Sequence, residues 1–230
     1  MGLFDIFSKK TDEQYCEEGI HFAKLGQYSK AVASFEKATA INPENAAAWI
    51  NHGAALCKLS RYLEAIDSFN KAIAIIPDSY TVWLNRGSAL NSIGQHLEAV
   101  DSFDKAIAIK PDDADIWVGR GWALQKLYRY SDAMASYEKA ISLNPNNADA
   151  WNIRGSTLDD SGQYTEAIAS YDKAIAIKPD YADAWKNRGG ALYRIGQYTE
   201  AIASYDKAIA INPNFIDAKH DRAIVLNKIK

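Results

Sequence analysis

All six prolines of the chain stand 34 residues apart, at Pro43, Pro77, Pro111, Pro145, Pro179 and Pro213. A constant interval of roughly 20–50 residues marks a stacked repeat rather than a single globular core. Other residues keep the same interval. Trp49, Trp83, Trp117, Trp151 and Trp185 recur, with Tyr15 in the first unit, and Gly19, Gly53, Gly87, Gly121, Gly155 and Gly189 follow each aromatic by four residues. Ala31, Ala65, Ala99, Ala133, Ala167 and Ala201 form another series, and Ala38, Ala72, Ala106, Ala140, Ala174 and Ala208 a further one. Between these two run Phe35, Phe69, Phe103, Tyr137, Tyr171 and Tyr205. Six units follow without insertion: 12–45, 46–79, 80–113, 114–147, 148–181 and 182–215. Residues 1–11 form a leader and 216–230 a tail.

One unit reads as two helices. In 46–79, Trp49, Gly53, Leu56 and Leu59 share a face at helical spacing. Tyr62, Ala65, Ile66, Phe69, Ala72 and Ile73 make a second such face, and Pro77 ends it. Asn45, Ser79, Asp113 and Asn147 are placed to cap the first helices that follow them. Tyr181 and Phe215 hold that place in the last two joints, so Asp180 and Asn214 are expected to cap one residue earlier. A glycine costs about 1 kcal/mol in a helix interior relative to alanine. Its return six times implies a site where a side chain would collide. No unit can bury its apolar face alone, so neighbours must stack.

The series of Trp or Tyr, Gly, Leu or Phe (Phe22, Leu56, Leu90, Leu124, Leu158, Leu192), Ala, aromatic, Ala and Pro resembles the tetratricopeptide repeat family over residues 12–215. The resemblance implies an all-α fold. It would be a right-handed superhelical solenoid of six helix-turn-helix repeats, with residues 216–230 as a capping helix. It also implies a concave groove lined mainly by the first helix of each unit, at the second, fifth, sixth, ninth, twelfth and thirteenth places. Some family members hold a chaperone's C-terminal carboxylate with Lys and Asn in the fifth and ninth places. Cys16 and Ile20, Ile50 and Ala54, and Leu84 and Ser88 stand there instead, so that clamp is incomplete.

The second helix repeats while the first varies. Residues 162–177 and 196–211 are the same sixteen residues, GQYTEAIASYDKAIAI, whereas the first helices of those units differ widely. A partner site is therefore sought on the first helices. The candidate residues are Asn51, Asn85, Ser88, Gly119, Trp122, Gln125, Asn152, Ser156, Lys186, Asn187, Tyr193 and Arg194. Asparagine offers a peptide backbone both donor and acceptor. Trp122 is the one tryptophan off the 34-residue interval; it either anchors a partner or packs against a neighbouring repeat. Gly119 and Gly190 leave room beside it. Arg86, Arg120, Arg154, Arg188 and Arg222 form a row at the seventh place. That row either bridges to acids of the adjacent repeat or grips an acidic or phosphorylated partner.

The formal net charge of −3 gives no electrostatic case for nucleic acid. No apolar run is long enough to span a membrane. Cys16 and Cys57 form no metal spacing and read as reduced thiols of a cytoplasmic protein. The four histidines hold four different places, and no phosphate loop or nucleophile motif occurs. No cofactor, metal or catalysis is expected. Asp159 and Asp160 point in different directions on a helix and read as solvated. Leu3, Phe4, Ile6 and Phe7 with Lys9 and Lys10 make a short amphipathic leader. The reading is a non-enzymatic module that binds a protein or peptide segment. The alternative is a self-assembling or membrane-adjacent scaffold that uses the leader and the terminal helix.

Overall fold

The structure, a computed structural model, describes residues 10–229. The amphipathic leader expected over residues 1–10 lies outside them except for Lys10. Among the described residues there are thirteen α-helices and no strand. They are α1 (Asp12–Lys24), α2 (Tyr28–Ile41), α3 (Ala46–Lys58), α4 (Tyr62–Ile75), α5 (Tyr80–Ser92) and α6 (His96–Ile109). After these come α7 (Ala114–Lys126), α8 (Tyr130–Leu143), α9 (Ala148–Asp160), α10 (Tyr164–Ile177), α11 (Ala182–Arg194), α12 (Tyr198–Ile211) and α13 (Ile216–Lys228). The helices α1–α6, up to Pro111, form one compact unit, and α7–α13, from Asp112, form another.

Local chemistry fixes where helices start and stop. Thr11 and Gln14 form a reciprocal capping box at α1. The side chains of Asn45 and Asn147 accept from the amides of Ala48 and Ala150, and that of Asp113 from the amide of Asp115. Ser79 stands at its N-cap without a side-chain bond. The early caps expected from Asp180 and Asn214 do not form. The helices α11 and α13 start in the common register, with Tyr181 and Phe215 at the N-cap and no side-chain cap. The turn after each proline sets that register. The Tyr181 amide donates to the Lys178 carbonyl and the Phe215 amide to the Asn212 carbonyl, as the Asn45 amide does to Asn42.

Between the two helices of each pair, one residue adopts a left-handed backbone. It is Gly26, Gly94, Gly162 or Gly196 in four pairs, but Ser60 and Tyr128 (φ 59° each) in the other two. A side chain costs roughly 1–2 kcal/mol in that region.

The helix-interior glycines have a specific steric partner. A Cβ on Gly53 would lie 2.6 Å from the Phe69 ring, and one on Gly155 would lie 2.6 Å from the Tyr171 ring. The same clash recurs between Gly19 and Phe35, Gly121 and Tyr137, and Gly189 and Tyr205. These rings are fully or almost fully buried between the paired helices. Burying a side chain of this size stabilises the fold by roughly 1.5–3 kcal/mol.

Within each unit the odd helices also touch one another: α1 with α3, α3 with α5, α7 with α9, α9 with α11 and α11 with α13. Even helices touch only odd ones. The odd helices are therefore the more closely spaced layer and line the inner face of each unit, while the even helices form the outer layer.

Candidate functional site

The arginine row belongs to the joints. Arg188 donates from Nε to Asp172 at 2.7 Å and from Nη1 to Ser204 at 2.7 Å. It thereby ties α11 to both α10 and α12. Its guanidinium lies 6.0 Å from the Trp185 ring centroid. Arg86 bonds Asn70 and Ser102 above Trp83, and Arg154 bonds Ser170 above Trp151 with Glu138 at 3.8 Å. Arg222 reaches Asp206. The tryptophans are pinned in turn: Nε1 of Trp49, Trp83, Trp151 and Trp185 donates to the carbonyl of the proline six residues earlier, at 2.8–3.0 Å. The row bonds within the protein, and the bridging reading holds in part: Arg154, Arg188 and Arg222 face acids of the preceding repeat, whereas Arg86 meets the Asn70 amide.

His52 holds the arginine place in α3. Its Nδ1 lies 2.9 Å from the Ser68 hydroxyl. Its Nε2 is buried without a hydrogen bond and stands 3.9 Å from Glu36. Burial holds its pKa below the ordinary 6.5, with Glu36 pulling the other way.

The sequence-chosen residues occupy different environments. In the first unit Asn51 lines a pocket of about 300 Å³ with Ile20, Ala23, Tyr28, Phe35, Ala54 and Ala55, and with Lys24 and Lys58 at its edge. Asn85 is half-buried on α5, and the exposed Ser88 bonds back to the Leu84 carbonyl. In the second unit Gly119 and Trp122 are half-buried on α7, and the Lys126 ammonium lies 5.2 Å from the Trp122 ring centroid. Gln125 is buried, donating to Asp160 at 2.8 Å and accepting from the Tyr137 hydroxyl at 3.2 Å. Asn152 is buried too. It donates to the Tyr181 hydroxyl at 3.4 Å and accepts from Asn187 at 3.2 Å. The polar groups of Gln125 and Asn152 are thus engaged within the chain.

Five of the chosen residues come together. Ser156 on α9 and Lys186, Asn187, Tyr193 and Arg194 on α11 surround a pocket of about 290 Å³, with Gly190 at its wall. The structure adds Asp159, Tyr171, Tyr205 and Asp221, which sequence reasoning missed. The Tyr205 hydroxyl lies close to Gly190, where a Cβ would sit 3.8 Å away. Burial pushes the phenols of Tyr171 and Tyr205 well up, so both hydroxyls keep their protons.

Asp159 and Asp160 do diverge, but only one is solvated. Asp160 is exposed and accepts from Gln125, whereas Oδ1 of Asp159 is buried with no hydrogen-bond partner. Burial raises the Asp159 pKa, with Arg194 and Lys186 opposing and Asp160 reinforcing the rise. Lys186 stands 3.9 Å from Asp221, and the Arg194 guanidinium lies 5.9 Å from the Tyr164 ring centroid. The signal for these additions was present: phenylalanine gives way to tyrosine in the last three units, and Asp159 puts an acid on the groove face.

No cluster of His, Cys, Asp and Glu among the described residues is arranged to hold a metal ion. Cys16 and Cys57 form no disulfide. No described helix is long and apolar enough to cross a membrane.

Tetratricopeptide repeat family models match residues 16–80, 87–127, 114–147, 136–169, 155–196 and 182–215. No curated protein matches the chain. Among solved structures the chain is similar to YrrB, described as a TPR protein with an unusual peptide-binding site, at 27% identity and a TM-score of 0.64. That match covers 82% of this chain and 97% of YrrB. The chain is also similar to MamA, at 26% identity and a TM-score of 0.65, over 70% of this chain and 94% of that one. PilW, a type IV pilus biogenesis factor, is similar in fold, with a TM-score of 0.83 at 21% identity over 93% of this chain and 99% of PilW.

Proposed function

The chain belongs to the tetratricopeptide repeat family, a family of interaction scaffolds, and from that premise we propose that it holds a peptide segment of a partner protein on the inner face of its first helices. One observation carries the reading. The variable first helices α9 and α11 converge Ser156, Lys186, Asn187, Tyr193 and Arg194 on one pocket, with Asp221 of α13 beside them and Tyr171 and Tyr205 of the second helices behind. Polar groups aimed into a concave site fix the orientation of a ligand, and an aromatic wall supplies contact area. The likeness to YrrB, itself described as having a peptide-binding site, supports the same reading. The module acts by binding rather than catalysis, and its two unbonded thiols suit the cytoplasm.

Affinity capture tests it. The wild-type chain should retain a partner from lysate that the Lys186→Ala, Tyr193→Ala double variant loses while keeping its helical circular dichroism. Equal retention by both proteins would overturn the reading.

A further inference from the structure

We infer that the pocket between α9, α11 and α13 takes a basic side chain, lysine or arginine, of the bound peptide, with Asp159 as its counter-ion; this rests on the peptide-binding reading above. Asp159 lines the pocket, and its Oδ1 is buried and makes no hydrogen bond. Leaving such a group unpaired is costly, and buried polar atoms without partners are rare in folded proteins. A cation bound in the pocket offsets that cost through its charge.

The cations already present do not close on Asp159. Lys186 is directed to Asp221 and Arg194 lies over Tyr164. Both are near enough to favour the ionised carboxylate, yet neither forms an ion pair with it. Asp221 adds a second carboxylate on the α13 side, where the exposed His220 is its other neighbour at 3.6 Å. Tyr193 offers a ring for the aliphatic stem or the cation itself. The volume of about 290 Å³ is at the low end for a ligand site. It suits one side chain.

Other occupants fit worse. A carboxylate would face Asp159 and Asp221. An apolar side chain would bring no charge to offset Asp159. The twelfth places of the six repeats hold Ala23, Cys57, Asn91, Gln125, Asp159 and Tyr193, so Asp159 is the sole acid in that row. The feature is therefore particular to this joint.

An oriented library of end-capped degenerate peptides tests the assignment. Four pools carry a fixed central Arg, Lys, Gln or Glu, and the full-length chain is the immobilised receptor. The Arg and Lys pools should be enriched by roughly tenfold or more over Gln and Glu, as a charge-assisted hydrogen bond exceeds a neutral one. Asp159→Asn should erase the preference at unchanged helicity. Asp221→Asn, whose carboxylate is more open to water, should reduce it, and provides the same readout if Asp159→Asn loses helicity. Peptides retained without a basic preference, or with one that survives both variants, would overturn the assignment and leave the peptide-binding reading standing. Retention of no pool would overturn both.

Discussion

Two pockets at matching repeat positions differ in chemistry. The one beside Phe35 is walled by Ile20, Ala23 and Ala54. The one beside Tyr171 and Tyr205 presents Ser156, Asp159, Gly190 and Tyr193 at the same groove places. Their volumes are close, about 300 and 290 Å³. The backbone joint is shared as well, since each is built over a glycine whose missing Cβ admits an aromatic ring. The scaffold therefore sets the size of the hollow, and the first-helix residues, with the choice of Phe or Tyr behind them, set its polarity. Specificity in such a fold can change without disturbing packing.

The comparison is sharpened most by attacking the shared part. Gly53→Ala and Gly155→Ala should each destabilise the fold by about 1–3 kcal/mol, because each Cβ meets a ring at 2.6 Å in a packed core. Thermal melts should show similar costs in both units. Gly190→Ala is the contrast. Its Cβ would meet only the Tyr205 hydroxyl at 3.8 Å, and replacing a helical glycine should raise stability by roughly 0.5–1 kcal/mol. A large loss there would mean that the pocket wall is packed as tightly as the joint.

Two substitutions of intermediate effect follow. Tyr128→Gly should stabilise the α7–α8 turn by about 1 kcal/mol, since Tyr128 holds a left-handed backbone in which four of its counterparts are glycine. Denaturant titration would detect it. Asp159→Asn should stabilise the chain at neutral pH by no more than about 1 kcal/mol, the full penalty for an unpaired buried group being reduced because the carboxylate is partly open to water. The sign follows from the raised pKa. Ionised Asp159 opposes folding above its unfolded value of 3.8, and the opposition fades as pH falls through the higher folded value. The variant's advantage should therefore shrink on acidification.

The smallest effect concerns His52, the neutral stand-in for an arginine. Its folded pKa is lowered, so its contribution is complete above the ordinary 6.5 and is lost as pH drops below it. His52→Arg should remove that pH dependence from the melting temperature, with Glu36 and Ser68 as the arginine's partners. A steeper dependence in the variant would contradict the joint role.

The periodicity made the helices legible, because proline, glycine and alanine each act through local sterics, while the inner place of the first helices was implied by the family resemblance. The joints were legible in part. The arginine row stood out, but its bonds to Ser204 and Asp172 join helices whose contact only the fold defines. Offsets alone did not separate free groove residues from engaged ones. Gln125 and Asn152 lie on the groove side yet are buried and bonded within the chain. Asp159 was set aside because adjacent helix residues diverge. The two side chains do diverge, but which of them turns inward depends on the neighbouring helix.

Site-specific photocrosslinking in cells shows whether a partner is held at the polar pocket of the inner face. A photoreactive amino acid is placed in turn at Tyr193, at Ala23 in the apolar pocket, and at the exposed Leu97 on outer-layer helix α6. A discrete crosslinked partner should form from Tyr193 and none from Leu97. A partner captured from Leu97 with nothing from Tyr193 would contradict binding at the pocket.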